Sequence, residues 1–286
     1  MLVPTMTPEE IYAEMHKDAA WLQNEISYKI YPQYSKRVKK MLRFPDLRPY
    51  TLISKTTHIE YVVIFFSYQH SDWKRPYCVV YTKYAHETGN TLVYLENDRF
   101  AIRLYTSHFL QRYRERNAEN IAKFEHIANL DFEFFFILRN WDVDEMQFNK
   151  SMIEQMPKNP YWKSVKEQME NSRFWQDPDY ERYSVACLSG MCLCERHKEN
   201  KDISIYDTYI SFDLLKSSQG LDFIGSYSIV FLNALDRVYP RQKQKIRDEW
   251  EEMIKSMEKY DYANGISIFI DKMQELSERY PISAII

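Results

Sequence analysis

Residues 59–68 read IEYVVIFFSY, and the reading of that run decides the fold class. β-Branched and aromatic residues suit a pleated strand, and runs of the same vocabulary surround it: YTLIS at 50–54, YCVVYTKY at 77–84, TLVYLE at 91–96 and RFAIRLYT at 99–106. Polar clusters separate them, and such short connections favour antiparallel neighbours over βαβ crossovers. Tyr50 to Thr106 is therefore expected to form four or five strands of one mostly antiparallel sheet. The clearest turn is Glu87-Thr88-Gly89-Asn90, where the glycine permits a positive φ.

Towards the N-terminus the pattern becomes helical. Thr7 can cap, Pro8 suits the first helical position and Glu10 completes a capping box, so residues 8 to about 30 are expected to be one helix. Pro32 is expected to interrupt it. Ser35 to Leu42 then reads as a second helix in a basic stretch holding Lys36, Arg37, Lys39, Lys40 and Arg43, and Pro45 and Pro49 end helical structure.

Beyond the strands, Ser107 opens a helix reaching about Leu130, and 131–142 (DFEFFFILRNWD) fits helix and strand equally. Helices are expected at 144–156 and 160–173. YSVACLSGMCLCER (183–196) and DISIYDTYISF (202–212) return to period two and predict two or three strands that rejoin the first sheet. From Leu214 the chain reads as helical, with Ile246, Trp250, Met253, Ile254 and Met257 forming an amphipathic stripe. The whole is an α+β chain: a mostly antiparallel sheet with N-terminal, inserted and C-terminal helices. It is taken as a single domain, 1–286, with a composition shift that separates a sheet-containing part, 1–213, from a helical part, 214–286.

Composition narrows the function classes. At 45% hydrophobic and 28% charged residues, the chain is globular in type rather than disordered. Only 5 glycines occur, and neither GxGxxG nor GxxxxGK[ST] is present, so no nucleotide cofactor is expected. The 23 Tyr need partners for their hydroxyls, which predicts half-buried positions with some rings on exposed faces. A net charge of −3 gives no overall attraction to nucleic acid or to an anionic bilayer, leaving only local patches. The four cysteines do not make a disulfide framework, the start MLVPTMTPEEIYAEM lacks the basic-then-apolar pattern of a leader, and the apolar run Tyr61–Phe66 is too short to span a bilayer. A cytoplasmic location without membrane association is the expectation.

The segment Ser107–Arg116 ranks first as a candidate site. His108, Arg112, Glu115 and Arg116 share one helical face by their spacing. Capping by Thr106 or Ser107 puts His108 in the first turn, where the helix dipole favours the neutral imidazole that a general base requires. Arg112 and Arg116 suit a phosphate, and Arg99, Arg103 and Arg114 add charge nearby. The other reading of this face is a solvated surface with Glu115 and the arginines in surface pairs. Cys187, Cys192, Cys194 and His197 have no standard zinc spacing and read as buried cysteines of a hairpin, so no metal is expected. The basic run Lys36–Arg43 either joins the His108 helix in one positive patch, with nearby Tyr and Trp rings as stacking surfaces for bases, or is, as such runs usually are, only a solvated helical face.

The stretch TSHFLQRYRER resembles the His-x3-Arg-x3-Arg helix of small bacterial toxin-type ribonucleases of the barnase, colicin and RelE-like group, over about a dozen of the 286 residues. The resemblance implies a metal-independent ribonuclease with catalytic or phosphate-binding roles for His108, Arg112 and Arg116. It also implies a hydroxyl from a late strand, matched by residue type at Thr208 or Tyr209. The chain as a whole resembles an uncharacterised bacterial protein more than a compact toxin. Two functional expectations follow: a nucleic-acid-directed role centred on His108 with RNA as partner, or a non-enzymatic scaffold that holds a protein partner through its tyrosines or its Trp250 and Met253 stripe.

Overall fold

The computed structural model describes residues 1–86, 89–96, 100–122, 132–146, 180–212, 220–257 and 262–280. The chain is α+β, and its contacts divide it into two compact units. The first comprises Met1–Trp141 with Asn200–Asp207, and the second Asp142–Glu199 with Thr208–Ala284; Ile285 and Ile286, counted with the first, lie outside the described residues.

The first unit opens with α1 (Pro8–His16) and α2 (Ala19–Asn24). The Thr7–Glu10 capping box forms as the sequence predicts. The single helix expected over residues 8–30 is instead broken at Asp18, because that side chain turns inward. Its carboxylate accepts hydrogen bonds from Ser54 Oγ at 2.5 Å, from Tyr61 Oη at 2.9 Å and from Thr57 Oγ1. Burial foremost, and then the adjoining Asp18 charge, push the Tyr61 phenol pKa up, which keeps it a donor.

Pro32 does not interrupt the helical path. Glu25–Ile30 forms a π-helical turn, in which Tyr31 N–H bonds to Ile26 O, and α3 (Tyr31–Val38) continues from it with Pro32 in its first turn. Because proline has no N–H to give to Tyr28 O, a local change to i→i+5 bonding lets the helix pass through it. α3 ends at Val38, earlier than the expected Ser35–Leu42, and Lys39, Lys40 and Arg43 stand beyond it.

The strands β1 (Asp46–Ile53), β2 (Glu60–Ser67), β3 (Tyr77–His86), β4 (Gly89–Leu95) and β5 (Ile102–Tyr105) pair antiparallel in that order, as the opening runs predict. β1 starts before Tyr50 and contains Pro49, which an edge strand tolerates because one side of its backbone is unpaired. At Gly89 φ is +131°, a conformation that favours glycine; Glu87 and Thr88 of the expected turn lie outside the described residues. The start of β9 (Ile203–Ile210) joins β5 in parallel, with Ile102 opposite Ile203 and Tyr105 opposite Tyr206.

Alternation along the strands gives this sheet two apolar faces. Tyr61, Val63, Phe65, Val80, Ile102 and Leu104 face α1–α3 and pack with Met15, Leu22, Tyr34 and Val38. The opposite face carries Tyr105 and Tyr206, whose rings meet Phe109 of α4 (Ser107–Arg116) and, for Tyr105, Phe136 of α5 (Phe132–Asn140). The ambiguous stretch 131–142 thus contains a helix, buried on nearly every side: Phe132, Phe134, Phe135, Phe136, Ile137 and Leu138 are all buried, as are Glu133 and Asn140. Helical structure beyond α4 resumes at 118–122, and the rest of the expected extension to Leu130 lies outside the described residues.

In the second unit, β6 (Val143–Met146), β7 (Tyr180–Cys187) and β8 (Gly190–His197) are antiparallel neighbours. Val143–Met146 is a strand where the helix 144–156 was expected to begin, since it pairs with Ser184–Cys187; the remainder of that helix and the one at 160–173 lie outside the described residues. At Gly190, with φ +155°, a Cβ would come within 2.4 Å of Ile210 O, so the hairpin closes only with glycine there. Three helices follow: α6 (Gly220–Val238), α7 (Lys243–Met257) and α8 (Tyr262–Arg279). Trp250 packs between Phe231 and Phe269, at 5.1 and 5.7 Å between ring centroids, which spends the Ile246–Trp250–Met253 stripe inside the unit. That stripe is not the accessible partner surface the sequence suggested. Among the described residues no helix is long and apolar enough to cross a membrane.

Candidate functional site

The α4 helix starts as its sequence predicts. Thr106 is the N-cap, its Oγ1 accepting from Phe109 N at 3.1 Å, and the same hydroxyl reaches Tyr206 O at 3.3 Å, fixing the helix start to β9. Phe109, Leu110 and Tyr113 face inward and are buried. Tyr113 Oη accepts from Asn140 Nδ2 at 3.0 Å, which joins α4 to α5.

His108 and Arg112 are exposed and Arg116 is half-buried, all within α4. Arg112 pairs with Glu115 at 3.7 Å, and Glu115 also accepts from Gln111 at 2.9 Å, so Arg112 meets a counter-charge within its own helix. Thr208 and Tyr209 stand in β9, in the second unit; Thr208 is half-buried, whereas Tyr209 is buried and donates to Ser189 O. Arg103 is not a spare cation: it pairs with Glu96 at 2.5 Å, donates to Trp141 O at 3.0 Å and lies over the Tyr94 ring. Arg99 lies outside the described residues.

An open cavity of about 470 Å³ does adjoin α4, along its other flank. It is lined by Ser107, Leu110, Gln111 and Arg114 of the helix, with Asn90, Phe132 and Glu133 across from them, and it takes in none of His108, Arg112 and Arg116. Spacing alone could not find it. Ser107, Leu110, Gln111 and Arg114 are a helical stripe too, but its far wall comes from β4 and α5.

A second polar feature lies on the opposite face of the sheet. The loop after β2 forms a short 3₁₀ turn, His70–Lys74, with Asp72 accepting from Tyr68 N at 2.8 Å and Gln69 N at 3.1 Å. Two hydrogen bonds hold this turn against α3 and its extension: Tyr31 Oη to Lys74 O at 2.6 Å, and His70 Nε2 with Lys39 O at 3.0 Å. Trp73 is thereby placed between cations, with Lys39 Nζ 4.6 Å and Lys74 Nζ 6.0 Å from its ring centre. Lys36, Lys40, Arg43 and Arg75, in the same two segments, are exposed. The carboxylates of 36–48 and 70–75 are Asp46, buried beneath Arg37 and Arg48, and Asp72, turned onto backbone. Among the described residues, no carboxylate pairs with Lys36, Lys39, Lys40, Arg43, Lys74 or Arg75.

The expected single patch uniting Lys36–Arg43 with the His108 helix is therefore corrected. Val38 packs with Leu104 while Phe109 packs on Tyr105, and consecutive strand residues face opposite ways, so the two basic segments lie on opposite faces. The sequence marked Lys36–Arg43 as basic but gave no sign that Trp73 and Lys74 would be brought to it from the β2–β3 connection.

The hairpin cysteines Cys187, Cys192 and Cys194 are buried, as read from their pattern, and form no disulfide among the described residues, with Cys187 Sγ and Cys192 Sγ 3.8 Å apart. Among the described residues no group of His, Cys, Asp and Glu has the arrangement of a metal site. No protein family, curated protein or solved structure matches the chain.

Proposed function

We propose that the protein binds single-stranded nucleic acid, RNA in the first instance, through the surface formed by α3, its extension to Arg43 and the His70–Arg75 turn. The observation that carries this reading is the set Lys39, Trp73 and Lys74, fixed by backbone hydrogen bonds in two basic segments whose exposed cations have no carboxylate partner among the described residues. In a chain of net charge −3, cations left uncompensated in one place are a local attraction for a polyanion. Lysines at several points along a strand replace condensed counterions, and an aromatic ring offers a base a stacking surface that does not depend on sequence. Tyr28, 77% exposed on the helical path just before α3, offers a second ring.

The proposal is one of binding. Strand cleavage would need His108 to meet phosphate-holding groups in a concave site, and the exposed, internally paired face of α4 offers no such support.

Fluorescence anisotropy with a labelled single-stranded RNA tests the reading. Binding is expected to weaken about 50-fold as salt rises from roughly 50 to 200 mM if about four phosphates are contacted. Lys39→Glu with Lys40→Glu is expected to cost at least about tenfold at fixed salt. No binding at low salt, binding indifferent to these substitutions, or preference for anionic lipid vesicles over RNA overturns it. A parallel cleavage assay with His108→Ala decides whether any hydrolysis depends on that residue.

A further inference from the structure

The cavity beside α4 contains a largely buried carboxylate whose ion-pair partner stands at the limit of contact. Glu133 is 7% exposed and lines it, yet among the described residues its carboxylate receives no hydrogen bond, and Lys83 Nζ approaches only to 4.0 Å. Asp18, buried elsewhere in the same unit, shows what such a group ordinarily requires: three hydroxyl donors converge on it. The Glu133 oxygens keep contact with solvent through the cavity, which is the space from which a donor can reach them.

The same cavity presents a cation. Arg114 lies over the Phe132 ring at 4.1 Å, which holds the guanidinium plane beside the residue preceding Glu133. No carboxylate among the described residues pairs with Arg114; Glu115, which also lines the cavity, is engaged by Gln111 and Arg112. Asn90, Ser107 and Gln111 add neutral polar atoms to the wall, and Leu110 and Phe132 give it an apolar surface.

The geometry points to a binding site for a small zwitterion of the α-amino-acid class, its ammonium at Glu133, its carboxylate at Arg114 and its side chain against Leu110 and Phe132. An ammonium supplies the donors that the buried carboxylate lacks, and a guanidinium edge receives a carboxylate through paired N–H bonds. The volume of about 470 Å³ is within the usual range for small-molecule sites. This site is independent of the nucleic-acid surface on the other face of the sheet.

Calorimetric titration of the full chain with each proteinogenic amino acid is the test, with isoamylamine and isocaproate as leucine analogues lacking the carboxylate and the ammonium respectively. At least one amino acid is expected to bind with Kd of about 1 mM or tighter. Glu133→Gln and Arg114→Gln, made separately and checked for native circular dichroism, are each expected to weaken it at least about tenfold. Arg114 is exposed, so its variant carries the test should Glu133→Gln fail to fold. The inference is overturned if no amino acid binds at millimolar concentration, if binding survives both substitutions, or if an analogue with one charge binds as well as the amino acid.

Discussion

Lys36–Arg43 and His108–Arg116 are both basic stretches, yet they meet counter-charge differently on the two faces of one sheet. In α4 the arginines are interleaved with Gln111 and Glu115, so Arg112 finds its counter-charge one turn away. The stretch Lys36–Arg43 has no acid of its own, and the turn brought to it at His70–Arg75 adds Trp73 and further cations while its one acid, Asp72, caps backbone. A basic run is thus a weak signal by itself. What marks a surface is charge left uncompensated after folding, and that depends on which distant segment packs beside it.

The seating of the two layers differs as well, and the largest expected effect tests that difference. The α1–α3 layer is keyed to the sheet through the buried Asp18 carboxylate, whereas α4 and α5 are held by rings around Tyr105, Phe109 and Phe136. Asp18→Ala strips the partner from Ser54, Thr57 and Tyr61 together and is expected to cost about 3 kcal/mol or more of stability, measured by urea denaturation. A loss under about 1 kcal/mol would mean the carboxylate is not the anchor, and the contrast between a polar and an apolar seating would collapse.

The electrostatic contrast can be broken more directly. Lys39→Glu with Lys40→Glu is expected to lower RNA affinity at least about tenfold, while Arg112→Glu with Arg116→Glu is expected to change it less than about threefold at physiological salt, where screening falls off over about 8 Å. Equal losses from the two pairs would place the polyanion on both faces and remove the distinction.

These outcomes bear on how much the sequence disclosed. The β-branched and aromatic runs announced the strands because period and propensity are local properties, as were the Thr7 capping box and the Thr106 cap. The break at Asp18 and the helical path through Pro32 were not legible. The first depends on hydroxyls about 36 to 43 residues away, and the second on a bonding register that a proline rule does not anticipate. The candidate site was legible only in part. α4 was found, but the cavity uses its other flank, and Glu133 lay in a stretch whose secondary structure the residues left open.

A smaller effect separates the layers from the side of α4. Tyr113→Phe removes the acceptor of Asn140 Nδ2 while Phe136 O still receives that amide, so the buried group keeps one partner. A destabilisation of about 1 kcal/mol is expected from urea denaturation, well below that of Asp18→Ala because no charge is involved.

The smallest effect is expected at Arg112, where its size is the point. Its pair with Glu115 joins two side chains that are 47% and 51% exposed, so water and salt screen the attraction, and ordering both chains offsets much of what remains. Arg112→Ala is expected to change stability by less than about 0.5 kcal/mol and to leave RNA affinity where it was. A large loss of affinity with stability intact would show that the pair with Glu115 opens to meet a phosphate. In that case the Arg112–Glu115 pair would be a resting arrangement, and the functional surface would have to be extended to the helix that the sequence ranked first.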